Sequence, residues 1–394
     1  MWLYLIIIFI PIFLYSFGGE KIARNKLVLG LYMSFLAFFV GMSDMMGGSD
    51  RYLYSSHFDD IADWMRNGIS ISDPQIADVY EKGFVALNCL VAMFSKNRYI
   101  FILCITLLMY FNFYVAIKRH IKNYPFAMII FLCLYFYFTF TYLRQMMGVS
   151  FAALSIKYLL EKKRVAFLLF ILLVVLMHKS GVFYALIFFI PVKKLKPSYV
   201  ILGLSFCLLL GLSGVSSYIY DIYIETTSMD ISNSYAEESG IRWAYILEVI
   251  LFAGTILYNY DKIENNRENI IFTNMALMFC ATLLVFLRSG NGGRLSWYFM
   301  FGIMYVFSTL VSQRSLLKLY AKKQLALVVV GMLFFQYIRV YINWQNYLNL
   351  YPYKTFLTNG YREGDYSWIH WEYDHQYDNN KLYREPFSFV KPKF

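Results

Sequence analysis

Four stretches of the chain place chemically capable residues where the surrounding sequence is apolar. "CLYFYFTFTYLRQMMGVSFAALSIKYLL" (133–160) runs for 28 residues almost without charge; Arg144, followed by Gln145, stands in its middle, and Lys157 lies near its end. An arginine in hydrocarbon costs a few kcal/mol on insertion scales, so it must hold something. Its guanidinium stays charged and offers a rigid fork of donors that matches phosphate oxygens. "MHKSG" (177–181) adds His178 at the end of another apolar run, and "LRSGNGGRLSWYF" (287–299) brackets a glycine-rich turn with Arg288 and Arg294. Three glycines and Asn291 leave backbone N–H groups free to form an anion-binding nest there. The fourth stretch is acidic. "GMSDMMGGSDRYLYSSHFDD" (41–60), continuing to "YEKGF" (80–84), offers Asp44, Asp50 and Glu81 as general bases to a hydroxyl. Asp59, Asp60 and Asp63 read as solvated. Taken one at a time these features have ordinary explanations: a snorkelling helix anchor, a core histidine, a tight turn. Their convergence points to binding of phosphate or pyrophosphate.

The elements that must position these residues are membrane spans. The chain of 394 residues is 59% hydrophobic and 20% aromatic with only 15% charged residues, a balance that marks an all-α polytopic integral membrane protein. Apolar runs predict about twelve transmembrane helices, within a range of ten to thirteen, at roughly 1–17, 27–46, 99–117, 125–142, 146–160, 165–178, 180–192, 198–217, 243–260, 270–287, 295–312 and 325–341. The N-terminal run lacks a basic leader and a small-residue cleavage site, so it reads as a retained span. "GFVALNCLVAMF" (83–94) is too short to cross and reads as interfacial or re-entrant. Residues 1–341 form the membrane domain, with long loops at 47–98 and 218–242, and 342–394 form a tail.

The net charge of +11 is dispersed over short loops, which argues against nucleic acid as a partner. Loops 18–26, 118–124, 161–164, 193–197, 261–268 and 313–324 carry 18 of the 36 lysines and arginines and five acidic residues. The long loop 218–240 has no lysine or arginine. The positive-inside rule therefore predicts both termini outside. Arg144, His178, Arg288 and Arg294 all fall at outer span ends. The fifth to seventh spans are short: about 14 residues at ~1.5 Å per residue reach about 21 Å of a ~30 Å core. Their outer ends, with Arg144 and His178, would line a sunken depression. Reading 165–192 as one tilted span instead would flip the parity of everything after it.

The tail packs about fifteen aromatic residues into 53 positions, suited equally to stacking on sugar rings or to anchoring at the interface. His370 and His375 with Glu372 and Asp374 match no metal-ligand spacing. The five cysteines, at 89, 104, 133, 207 and 280, all lie in apolar segments and read as core residues. No metal or cofactor is expected.

"SDRYLY", "YEKGF", "YLRQMMGVSFAALSIKYLLEKKR", "LMHKSG", "GRLSWYF" and "YPYKTF", in that order from about residue 49 to 356, resemble the EpsG family of Wzy-like polysaccharide polymerases. The resemblance implies a helical bundle of the glycosyltransferase-C kind in the bacterial inner (plasma) membrane, with its active site facing the periplasm or exterior. The implied reaction passes a growing glycan from undecaprenyl pyrophosphate to the non-reducing-end sugar of an incoming lipid-linked repeat unit, for O-antigen, capsule or exopolysaccharide. The partners it implies are these lipid-linked glycans, membrane lipids and a chain-length regulator protein. Carried over position by position, Arg144, Gln145, His178, Arg294 and Tyr298 match, as do Asp50, Tyr54 and Glu81. Catalytic roles fall to Arg144, His178, Arg294, Asp50 and Glu81. Substrate binding falls to Gln145, Arg288, Tyr298, Tyr54 and Asn291.

Other classes fit less well. A flippase for lipid-linked oligosaccharides needs charges through the depth of a central path; here only Lys157 and Glu248 sit within spans away from the outer end. A membrane acyltransferase would draw its donor from the cytoplasmic side. A glycosyltransferase using a lipid-phosphate sugar is the nearest enzyme alternative, and usually combines an outer-loop acid with a metal.

Overall fold

The computed structural model describes residues 2–215, 218, 240–289, 292–312, 331–346, 349–363 and 374–393. Among these residues the fold is entirely helical, with two isolated bridges and no strand. Helices occupy Trp2–Phe17, Lys26–Gly41, Arg98–His120, Tyr124–Phe131 continuing through a π-helical Leu132–Phe136 to Phe138–Thr141, Leu143–Leu160, Arg164–Met177, Lys179–Phe189 (3-10), Pro197–Leu212, Trp243–Tyr258, Arg267–Val285, Gly292–Phe299 continuing into Met300–Ser312, and Leu333–Ile338 continuing into Arg339–Asn346. These correspond to the predicted apolar runs one for one, although 325–330 of the last run, loop 313–324 and residues 219–239 lie outside the described residues. Arg98–His120, Arg267–Val285 and Gly292–Ser312 are each long and apolar enough to cross a membrane, and shorter apolar helices surround them.

Local sequence explains the helix starts. Asn25, Asn97, Asn123 and Asn266 each cap a helix, their side chains accepting from backbone N–H groups of the first turn. The faces that remain exposed are apolar. Leu27, Leu31, Phe35 and Phe38 form one stripe, and Val165, Leu168, Leu169 and Leu172 another, as a lipid-facing surface requires. Polar contacts are turned inward: Asn112 Nδ2 donates to Ser150 Oγ at 3.0 Å between two buried helices.

Four of the predicted basic loops, 118–124, 161–164, 193–197 and 261–268, gather at one end of the bundle. Arg119 pairs with Glu161 at 2.6 Å, His120 with Glu268 at 3.0 Å, Arg267 donates to the Leu159 carbonyl, and Lys194 Nζ donates to the carbonyls of Tyr260 and Ile263. The segment 165–192 is a hairpin and not one long helix. The chain becomes extended at His178 and turns back, so that Phe188 packs on Phe167 with ring centroids 5.2 Å apart. His178 is the apex of that hairpin, at the end of the bundle away from the basic loops.

That far end carries a cap. The helix Ser49–Arg66 lies against Lys82–Ala92 and the start of Arg98–His120. It begins at Gly47 and Gly48, both at positive φ. A Cβ on Gly47 would approach the Phe140 carbonyl group to within 2.8 Å, so only glycine lets the turn pass there. Arg51 is fully buried and donates to the carbonyls of Val40 and Ser43, which leaves its neighbour Asp50 to face the other way. "YPYKTF" clasps this turn: Lys354 Nζ reaches Asp44 Oδ2 at 3.0 Å, and Tyr353 stacks on Phe39 at 4.2 Å. Lys381 Nζ also lies 3.0 Å from Asp44 Oδ2, and the Tyr99 hydroxyl donates to Oδ1. Asp44 is completely buried among these partners, so no sugar hydroxyl reaches it.

Residues 374–393 of the tail form a strap across the cap. Ser388 and Val390 donate backbone N–H groups to the carbonyls of Phe94 and Met93, and Ile71 N–H donates to the Lys393 carbonyl. Under the strap, Asp59 is buried and takes Arg98 Nε at 2.8 Å, with the Tyr377 hydroxyl at 3.1 Å and Arg384 beyond it. Arg384 holds Asp63 through both its terminal nitrogens at 3.0 Å. The expectation of solvated carboxylates therefore fails for Asp59, which is buried under the tail, and holds for the exposed Asp60 and for Asp63, whose side chain keeps 47% of its surface open beside Arg384. The Tyr377 ring is buried against Tyr99 and the Arg98 guanidinium, so it stacks on protein and not on sugar. His370 and Glu372 lie outside the described residues.

Candidate active site

The first cation is fixed by a break in the helix path. The chain leaves helical geometry at Tyr142, and Leu143–Leu160 starts afresh, which puts Arg144 in its first turn beside the positive end of the helix. Arg144 Nη1 donates to Glu81 Oε2 at 2.8 Å, and the guanidinium lies over the Tyr80 ring at 4.3 Å with Tyr54 at 5.4 Å. Its Nε is buried without a hydrogen-bond partner.

Glu81 joins this arginine to the hairpin apex. It sits at the N-terminus of Lys82–Ala92, and its Oε1 accepts the Lys179 N–H at 2.9 Å. Burial pushes its carboxyl up, but Arg144, His178 and the Lys179 N–H outweigh that and hold it below the usual carboxylate range. Glu81 therefore stays ionised through neutral pH, and its contribution to stability is lost only as pH falls below the ordinary carboxylate range through this lowered value.

A hydrogen-bonded chain runs from His178 to the glycine-rich turn. His178 Nδ1 accepts from the Ser180 N–H at 3.2 Å and lies 2.7 Å from Ser180 Oγ. Ser180 Oγ is 2.9 Å from the Tyr298 hydroxyl, which also meets Gln145. Gln145 Nε2 donates to the Arg294 carbonyl at 3.0 Å. With Nδ1 committed as acceptor, the proton of a neutral imidazole sits on Nε2. His178 then carries a donor at Nε2, while Nδ1 is taken and is no base.

Arg294 is the second cation. Its guanidinium lies 3.9 Å above the Tyr142 ring, and Nη2 donates to the Tyr142 hydroxyl at 2.9 Å. Asp50, in the first turn of Ser49–Arg66, feels both guanidiniums. Burial raises its carboxyl above the usual range, and Arg294 and Arg144 offset only part of that rise. The two carboxylates are thus driven apart, Asp50 upward and Glu81 downward, the pattern that separates a proton carrier from a fixed anion.

The fold therefore brings Asp50, Tyr54, Glu81, Arg144, Gln145, His178, Arg294 and Tyr298 into one network from five separate segments. Arg288 is directed elsewhere: its Nη1 donates to the Leu212 carbonyl at 3.3 Å, at the negative end of Pro197–Leu212. Asn291 lies outside the described residues. Among the described residues no three His, Cys, Asp or Glu side chains converge to hold a metal ion. Sequence reasoning missed Tyr80, Tyr142 and Ser180. Each lies one or two residues from a selected one, and each arginine has an aromatic partner nearby in sequence or across the cap. That pairing was the available signal, hidden by the abundance of tyrosine.

A family model for the EpsG family matches residues 26–355. The chain belongs to the EpsG family. This is the family of Wzy-type polymerases, and membership supports a polymerase-type function in a membrane. Every residue of the network lies inside the matched region. The strap from 374 onward lies outside it, so the EpsG site is buttressed here by a segment that the family model does not cover. No curated protein and no solved structure matches the chain.

Proposed function

We propose that this EpsG-family chain joins undecaprenyl-pyrophosphate-linked oligosaccharide repeat units at the outer face of the bacterial inner membrane. The observation that carries the reading is the linking of the Arg144 turn to Arg294 through Gln145, whose Nε2 donates to the Arg294 carbonyl at 3.0 Å, with Asp50 in the field of both guanidiniums at the bundle end opposite the basic loops. The positive-inside rule assigns the basic end to the cytoplasm.

In the reaction, the bond between the anomeric carbon of the growing glycan and its pyrophosphate oxygen breaks. A hydroxyl oxygen of the incoming unit's non-reducing-end sugar bonds to that carbon. The hydroxyl proton passes to Asp50, whose raised carboxyl is the better acceptor of the two acids. Undecaprenyl pyrophosphate departs with the bonding electrons, and its new negative charge falls on groups already in place: the Arg144 and Arg294 guanidiniums and the Nε2–H of His178. Glu81 orients Arg144 through the 2.8 Å ion pair and the hairpin apex through the Lys179 N–H. Tyr54 and Tyr80 hold the Arg144 guanidinium against their rings and so fix its plane.

Loss of the protein separates this reading from a flippase. A polymerase acts on units already delivered outside, so a deletion strain should accumulate lipid-linked single repeats on the outer face. Where a ligase accepts them, the final acceptor should carry one unit, seen as a single-unit band on a gel. A bare acceptor, with lipid-linked repeats trapped on the cytoplasmic face, would indicate a flippase instead.

A further inference from the structure

Arg294 faces two ways. Besides the network around Asp50, it lines a cavity of about 180 Å³ together with Arg242, Tyr245, Gly293 and Trp297. Tyr245 sits within the field of Arg242, Glu248 and Arg294 and is hydrogen-bonded to Arg242. A Cβ on Gly293 would come within 2.3 Å of the Tyr245 hydroxyl, so glycine is what lets that hydroxyl approach the turn. Beside this polar cavity lies a second, of about 380 Å³, between Trp243–Tyr258 and Leu333–Arg339. Its walls are Ala244, Leu247, Ile250 and Leu251, on a helix face that is otherwise exposed. The two cavities share Glu248 and Gln336. Glu248 is hydrogen-bonded to Gln336 and faces Arg339, which offsets its repulsion of an anion. A chamber lined by two arginines and Glu248 thus shares a wall with an apolar one whose helix face is exposed.

We infer that these joined cavities form a lateral portal for a polyprenyl pyrophosphate, with its first isoprenoid units in the apolar cavity and its pyrophosphate between Arg242 and Arg294. The inference rests on the proposed reading and deepens it. A reaction between two lipid-linked molecules needs two pyrophosphate positions, and Arg294 is the cation common to this chamber and to the Arg144 side. Charge complementarity and continuity with the site select this occupant over a bulk phospholipid chain. The larger groove of about 680 Å³ between Lys26–Gly41 and Arg98–His120, lined by Leu31, Ser34 and Phe111, has no comparable cation pair and serves as the control.

The test is binding of radiolabelled farnesyl pyrophosphate, and of farnesol, to the full chain in lipid nanodiscs. Leu247 is 51% exposed, so Leu247→Trp fills the apolar cavity without repacking the core. Leu247→Trp should remove one of the two farnesyl pyrophosphate sites, about half of the label bound at saturation, and Arg242→Ala should do the same without changing the weaker binding of farnesol. Ser34→Trp should bind as the native chain does. If Leu247→Trp and Arg242→Ala both bind farnesyl pyrophosphate normally while Arg144→Ala does not, the portal is refuted and the proposed function stands. If the native chain binds no polyprenyl pyrophosphate, both fail together.

Discussion

Arg144→Lys should lose polymerisation by about 100-fold or more while the protein still inserts and folds. Lysine keeps the positive charge, so a role in charge balance alone would survive the change. What it lacks is the planar fork: Arg144 is tied to Glu81 at 2.8 Å and to the Tyr54 side chain by a hydrogen bond, its face is held by Tyr80, and its buried Nε has no partner in the protein. An ammonium pulled to Glu81 would have no second arm to offer a departing phosphate. Removing a single preorganised donor from developing negative charge typically costs 10²–10³ in rate, which sets the size of the expected loss. The loss should fall on the rate constant at saturating substrate more than on KM, because the charge develops in the transition state. Normal polymerisation by Arg144→Lys would reduce this arginine to an anchor for the cap.

Asp50→Asn should be equally severe, with a loss of about 10²–10⁴, the usual worth of a positioned general base. Asparagine preserves the shape and the start of Ser49–Arg66 but cannot take a proton. In the native protein kcat/KM should rise with pH through a value above the ordinary ~3.9 of an aspartate, since burial raises this carboxyl and it must be ionised to act. The acidic limb should vanish in the residual activity of Asp50→Asn. Persistence of that limb, or near-native activity, would move the base to His178 and overturn the tautomer inferred from its contact with the Ser180 N–H.

Much of this arrangement was legible in the chain. The cost of an arginine in an apolar run singled out Arg144, and the glycine-rich turn singled out Arg294, because both features violate the local pattern of a span. Helix ends also fall close to the ends of most predicted apolar runs, since basic clusters such as 161–164 and 193–196 interrupt those runs. The hairpin at 165–192 was open to two readings because periodicity is blind to direction, and only the packing of Phe188 on Phe167 shows the return. Asp44, Asp50 and Glu81 were equivalent acids in one loop. Long-range contacts separate them: Lys354 and Lys381 bury Asp44, Arg144 and Lys179 fix Glu81, and Asp50 is left in the field of two guanidiniums. The strap was invisible for the same reason, as its partners Asp59 and Asp63 lie more than 300 positions earlier in the chain.

The central claim is that this EpsG-family protein joins lipid-linked units, and reconstitution tests it most directly. Purified protein in proteoliposomes would be supplied with an undecaprenyl-pyrophosphate-linked repeat unit of its own source, and glycan length and free undecaprenyl pyrophosphate would be measured together. A ladder of glycans should appear, with one undecaprenyl pyrophosphate released for each new linkage, and Arg144→Lys should suppress both signals in parallel. Movement of intact single units across the bilayer, with no ladder and no release of undecaprenyl pyrophosphate, would contradict the account.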